Sequence, residues 1–366
     1  MLKRRYVLLV LAGICPLWLA IQAGWTCSVP VFRYALERWK PDPYKGIFIH
    51  QGGVTKRDQA LLEQLEEAAL NPECPLNLRI RAVDKTSFSE KKLEELLKGP
   101  VPENLPALAI WYPDQMGKKP PLWTVELTPA VVKALTDSTK RRYLAERLIN
   151  GESIVWVFVP SGNPEKDNRA KALIQREIDS SLVELSKLPF YVLAGSKEKR
   201  LPYRLSILTL SRSDPGERFL LDMLLKSESD LVEHKDEPMV FPIFGRGRLL
   251  GCLFGEYITP DKIQGAISFL AASCSCQVKA LNPGMDLLIA APWDRVVLDS
   301  YVEDTPLPEL TGVMPDTPAS QKPPARDAER GRGSKSIFAN YGITLGSALV
   351  VVLFASLVLS HRRKKD

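Results

Sequence analysis

Short apolar runs alternate with amphipathic stretches through the middle of this chain, and a longer uncharged run stands near each end. Residues 45–53 form a short apolar strand, Lys45-Gly46-Ile47-Phe48-Ile49-His50, closed by a glycine-bearing turn, Gln51-Gly52-Gly53. A helical pattern follows over 58–70. Residues 77–83 alternate and carry enough β-branched side chains to predict a second strand. A charged helix over 89–98 comes next, capped by Ser87 or Ser89. Two further strands are predicted at 106–111 and 122–127, and a helix opens near Thr128-Pro129.

The same order then repeats. Residues 153–163 are a strand with a Gly-bearing turn, and 164–185 a helix with Pro164 at a favourable first position. A strand at 203–210 and a helix at 217–226 follow. Strands at 239–244 and 249–254 are joined by Gly245-Arg246-Gly247-Arg248, read as a hairpin turn with solvated arginines. Thr259-Pro260-Asp261 opens the last helix. Each half is therefore β-α-β-α-β-β-α. The first two strands of each, joined by a helix, should be parallel, and the last two a hairpin. Ahead of the first half, Val31, Tyr34, Ala35 and Arg38 fall on one helical stripe, with Phe32, Leu36 and Trp39 on another. This helix is expected to pack on the first sheet; the sharper alternative is a docking helix for another protein.

The ends carry topology. Lys3-Arg4-Arg5 precedes an apolar run, which predicts a signal peptide over 1–23 or an uncleaved anchor. Residues 341–360 contain no charge, and at ~1.5 Å per residue they would cross the ~30 Å hydrocarbon core. Arg362-Arg363-Lys364-Lys365 follows, and such clusters stay cytoplasmic, as expected for a basic tail over 361–366. The net charge of +6 resides in these two ends, so the middle is neutral and nucleic acid is not an expected partner. Prolines crowd 303–336, a disordered tether. Gly342 and Gly346 share a helix face and permit a homodimer within the bilayer. The expected protein is a single-pass one whose bulk lies outside the cytoplasm, in a periplasm.

The strand and helix order, with Pro106 and Pro238 each leading into a third strand, resembles the thioredoxin-like fold. The expected class is α/β, with unit 1 over 28–148, unit 2 over 149–300 and a C-terminal transmembrane helix. The resemblance implies a cis-proline at Pro106 and Pro238, facing a Cys-x-x-Cys turn. Here the turns read His50-Gln51-Gly52-Gly53-Val54 and Pro160-Ser161-Gly162-Asn163-Pro164, without cysteine. Dithiol exchange at those positions lacks its thiolate.

Outside the export segment the cysteines are Cys27, Cys74, Cys252, Cys274 and Cys276. An oxidising compartment favours pairing, and an odd number leaves one over. Cys274 and Cys276 admit three readings: pairing with distant partners such as Cys252 or Cys27, a strained local bridge, or a Cu(I) site. His50 and His234 stand without a neighbouring nucleophile, and no hydrolase, metalloprotease or phosphate-loop motif occurs. No catalytic residue, metal site or cofactor is expected. The expected function is non-enzymatic binding of another protein, as an accessory to a membrane transport or assembly complex. The alternative is thiol-disulfide exchange or copper handling through Cys274 and Cys276.

Overall fold

The computed structural model describes residues 29–188, 190–194, 197–273 and 278–295. The expected export segment, tether, transmembrane helix and tail lie outside the described residues, as do Cys27, Cys274, Cys276, Gly342 and Gly346. Among the described residues no helix is long and apolar enough to cross a membrane.

The chain opens with α1 (Val31–Arg38), β1 (Tyr44–His50), α2 (Lys56–Leu70), β2 (Leu78–Asp84) and α3 (Glu90–Leu97). Next come β3 (Ala107–Trp111), β4 (Trp123–Glu126), α4 (Pro129–Thr136) and α5 (Thr139–Ile149). The second half holds β5 (Ile154–Val159), α6 (Pro164–Leu185), β6 (Phe190–Ala194), β7 (Lys197–Leu201), β8 (Leu205–Thr209) and α7 (Arg218–Leu225). It ends with β9 (Met239–Phe244), β10 (Arg248–Leu249), β11 (Leu253–Phe254), α8 (Pro260–Ala271) and β12 (Met285–Asp286).

Local chemistry sets the helix starts. Thr55, Ser89, Thr128, Ser138 and Asn163 each accept a backbone N–H of the helix they precede, satisfying donors that a helix leaves open. Thr259 occupies the N-cap of α8 without such a bond, and Pro260 supplies the fixed φ. β5, Ile-Val-Trp-Val-Phe-Val, is apolar throughout because both its faces are covered.

The fold is mixed α/β with two main sheets. The first has order β2-β1-β3-β4, the second β12-β10-β9-β5-β8 with β11 also on β9. In each, the first two strands run parallel and the third antiparallel to the first. β6 and β7 form a separate hairpin.

The two sheets share one core. Tyr44, Phe48, Leu108 and Ile110 of the first sheet face a layer formed by α2, α4, α5 and α7, and Val155, Val157, Phe241 and Ile243 of the second face the same layer. Polar bonds lock it. The Tyr44 hydroxyl donates to Asp286 O at 3.0 Å, Tyr112 to Met223 O at 2.8 Å, and Trp123 Nε1 to Asp222 at 3.0 Å. The far face of the first sheet is covered by α3, through Leu93 and Leu97. That of the second is covered by α6, α8 and α1.

The position of α1 corrects the expectation. It lies on the second sheet, with Phe32 edge-on to Phe190 at 5.4 Å, and all but Arg38 of its residues are buried. Both stripes are buried up to Arg38 because the helix is covered by α8 and by the β9–β10 turn. The arginines of that turn are a second correction. Arg246 and Arg248 are 7% and 5% exposed. Arg246 donates to Leu36 O at 2.8 Å and Glu37 O at 3.1 Å, taking up carbonyls at the end of α1. Arg248 donates to Pro283 O, Asn282 O and Asp286. The strand expected at 249–254 is interrupted, and only β10 and β11 at its ends pair with β9.

Candidate functional site

In both sheets the turn after the first strand faces the segment leading into the third. Ile49 pairs with Ala107, which brings Pro106 opposite His50. Val159 pairs with Met239, which brings Pro238 opposite Pro160. The Leu105–Pro106 peptide is cis. It is the one cis bond among the described residues, so Pro238, also expected to be cis, is trans. The register puts each proline where the sequence order placed it, but the isomer differs between the halves.

The first turn is small and polar. His50 Nδ1 lies 2.5 Å from Gly52 O, and Gln51, Gly52 and Gly53 are exposed. Asp84, opposite His50 in the parallel ladder, takes the Thr86 N–H at 2.9 Å and its hydroxyl at 2.8 Å. The Thr86 backbone bond is the largest cause holding this carboxyl below its usual range.

The second turn is more elaborate. Ser161 N–H, Ser161 Oγ and Gly162 N–H converge on Asp167 at 2.7, 2.8 and 3.1 Å, and Asn163 caps α6. Arg212 donates through Nε to Pro160 O at 2.8 Å and through Nη2 to Glu237 O at 3.1 Å. One guanidinium therefore clamps the turn to the residue before Pro238. Lys166 reaches Glu237 at 2.5 Å across the same gap.

Cys252 lies beside this clamp. Burial pushes its thiol far up, Glu228 adds to the shift, and the Val240 N–H and Arg212 oppose it without prevailing. A thiol held in this state is a poor nucleophile. Cys74, the other described cysteine, is also raised, by burial and then Asp137. Both are free thiols. Cys74 lines a cleft of about 520 Å³ with Asp137, Arg141, Arg142 and Arg295. Arg141 in that cleft is lowered to about 10 by burial, and it donates to Leu135 O, Ala134 O and Leu288 O. Its donors are thus spent on the fold.

Next to Pro238 stands an aromatic ridge. His234 stacks on Phe254 at 4.3 Å, Tyr257 meets Phe254 edge-on at 5.1 Å, and Lys262 sits 4.2 Å over the Tyr257 ring. Tyr257 is 45% and Val232 60% exposed. His234, within the acidic loop Glu233-His234-Lys235-Asp236-Glu237, is half-buried in this stack. Its acidic neighbours concealed the contact, since Phe254 lies twenty residues along the chain. Among the described residues no group of three His, Cys, Asp or Glu side chains can hold a metal.

No protein-family model matches the chain, and no curated protein matches it.

Proposed function

We propose that the chain is a membrane-anchored, extracytoplasmic recognition module made of two thioredoxin-like units, with no redox chemistry of its own. The observation that carries this reading is the turn–proline face of each sheet. In each the register sets the turn against a proline, cis at Pro106 and trans at Pro238, and neither turn has a sulfur; the neighbouring Cys252 is half-buried with its thiol pushed up. The shared strand order, second-first-third-fourth, supports the thioredoxin-like assignment. The surface for a protein partner is the ridge of Val232, His234, Phe254 and Tyr257. Aromatic side chains lose little conformational entropy on binding and offer large apolar area. The predicted transmembrane helix would hold this surface near membrane complexes of transport or assembly.

The test is a photo-crosslinking residue placed at Tyr257, with Glu66 as a control position, in cells expressing the full chain. A discrete crosslinked protein at position 257 and none at 66 is the expected result. Equal, diffuse crosslinking at both positions would overturn the ridge as a binding surface.

A further inference from the structure

We propose that β2 is an open docking edge for an extended partner segment with acidic residues at alternate positions. The inference deepens the recognition reading but uses a different surface, so either can fail alone.

The backbone defines the edge. β2 pairs only with β1, in parallel. Tyr44 N–H donates to Asn77 O at 2.8 Å, and in a parallel ladder that parity continues: the odd residues of β2 bond to β1. The N–H and C=O groups of Ile80 and Ala82 therefore point away from the sheet, and among the described residues they have no partner. Ala82 is exposed. Unpaired groups in this array are a template for a further strand.

The corresponding edge of the second sheet is closed. There β8 bonds to β5 through its even residues, leaving Ile207 O directed outward, and Arg147 of α5 donates to it at 3.3 Å and to Ser206 Oγ at 2.8 Å. The first sheet has no such strap among the described residues.

Charge selects the occupant. Arg79 and Arg81 are exposed and their side chains have no hydrogen-bond or ion-pair partner among the described residues. They share the sheet face of Val83, two residues apart, the spacing of alternate side chains on an incoming strand. A second copy of β2 would bring arginine against arginine, which is unfavourable across a ladder, whereas Asp or Glu at every second position would pair with both.

The probes are two fluorescent octapeptides, one alternating valine and glutamate and one alternating valine and lysine, titrated against the full chain in detergent. The glutamate peptide should bind and the lysine peptide should not. Ala82→Pro removes the outward N–H without touching the bonds to β1, and should abolish binding at an unchanged unfolding midpoint. Should that variant misfold, a glutamate peptide N-methylated at alternate residues replaces it, and should not bind the unaltered protein. Arg79→Glu with Arg81→Glu should lower affinity for the glutamate peptide about tenfold or more and admit the lysine peptide. Absence of binding by the glutamate peptide overturns the proposal. So does binding that survives both backbone blocks, which would mark a basic patch and not a strand edge.

Discussion

Pro30 and Ser273 form an antiparallel bridge, and beside it Val31 N–H donates to Ala272 O at 3.0 Å. The bridge ties the start of α1 to the end of α8. It also bears on Cys27, Cys274 and Cys276, which lie outside the described residues. Cys27 precedes Pro30 by three positions and Cys276 follows Ser273 by three, so only a few links of chain separate each from the bridge. Cys252 packs instead against the core layer between the two sheets. The expected cross-link is therefore Cys27 with Cys276 or Cys274. Unreduced intact mass should be two hydrogens lighter than reduced, and peptide mapping should join the Cys27 peptide to the 274–276 peptide. Cys27→Ser should cost about 2–4 kcal/mol of stability. A mapped Cys274–Cys276 ring with Cys27 free would refute this pairing.

Gly245 fixes how closely α1 approaches the β9–β10 turn. Its φ is +57°, and a Cβ there would stand 2.7 Å from Ala35 Cβ. Gly245→Ala combines left-handed backbone strain with an overpacked contact, and should destabilise by about 2–4 kcal/mol. Urea unfolding checks it; a loss under about 0.5 kcal/mol, the scatter of neutral surface changes, would mean α1 can shift without cost.

Arg246 acts on the same junction through its donors. Arg246→Met keeps the apolar stem but strips the guanidinium from Leu36 O and Glu37 O, and should cost about 2–4 kcal/mol for the loss of two charge-assisted hydrogen bonds to buried carbonyls. Arg246→Lys should rescue little, since a single ammonium cannot reproduce the planar fork. Limited proteolysis should then cut near Trp39 before any other site.

These two residues show where the sequence was legible and where it was not. Periodicity marked most helices and strands, since each apolar run needed one face covered and caps such as Thr55 and Asn163 announce the starts locally. α5 and the β6–β7 hairpin were missed: the first has charges spread around the helix, and the second includes Lys197-Glu198-Lys199-Arg200, which mimics a solvated loop. The burial of Arg246 and Arg248 was invisible because their acceptors, Leu36, Glu37, Asn282 and Pro283, are distant in the chain. The same limit hid α1's choice of sheet and the stack of His234 on Phe254. The turn sequences lacking cysteine were readable outright; the clamp by Arg212 was not.

Cys252 supplies a pH test of the recognition reading. Its folded thiol titrates well above its ordinary value near 9.0, chiefly from burial. Between those values the native state keeps a proton that the unfolded chain has lost. The stabilising difference is thus complete below about pH 9 and declines as pH rises further. Tyr44 and Tyr112, also raised by burial, contribute the same sign from about pH 10 upward. The urea midpoint should therefore begin to fall above pH 9, and Cys252→Ala should remove the Cys252 share of that fall, leaving the share of Cys74, whose thiol is also raised. Below pH 9 the native thiol should resist iodoacetamide, and urea-unfolded protein should react at once. Rapid native alkylation at pH 7.5 would mean a thiolate beside Arg212, and the face by Pro238 would then have to be read as reactive.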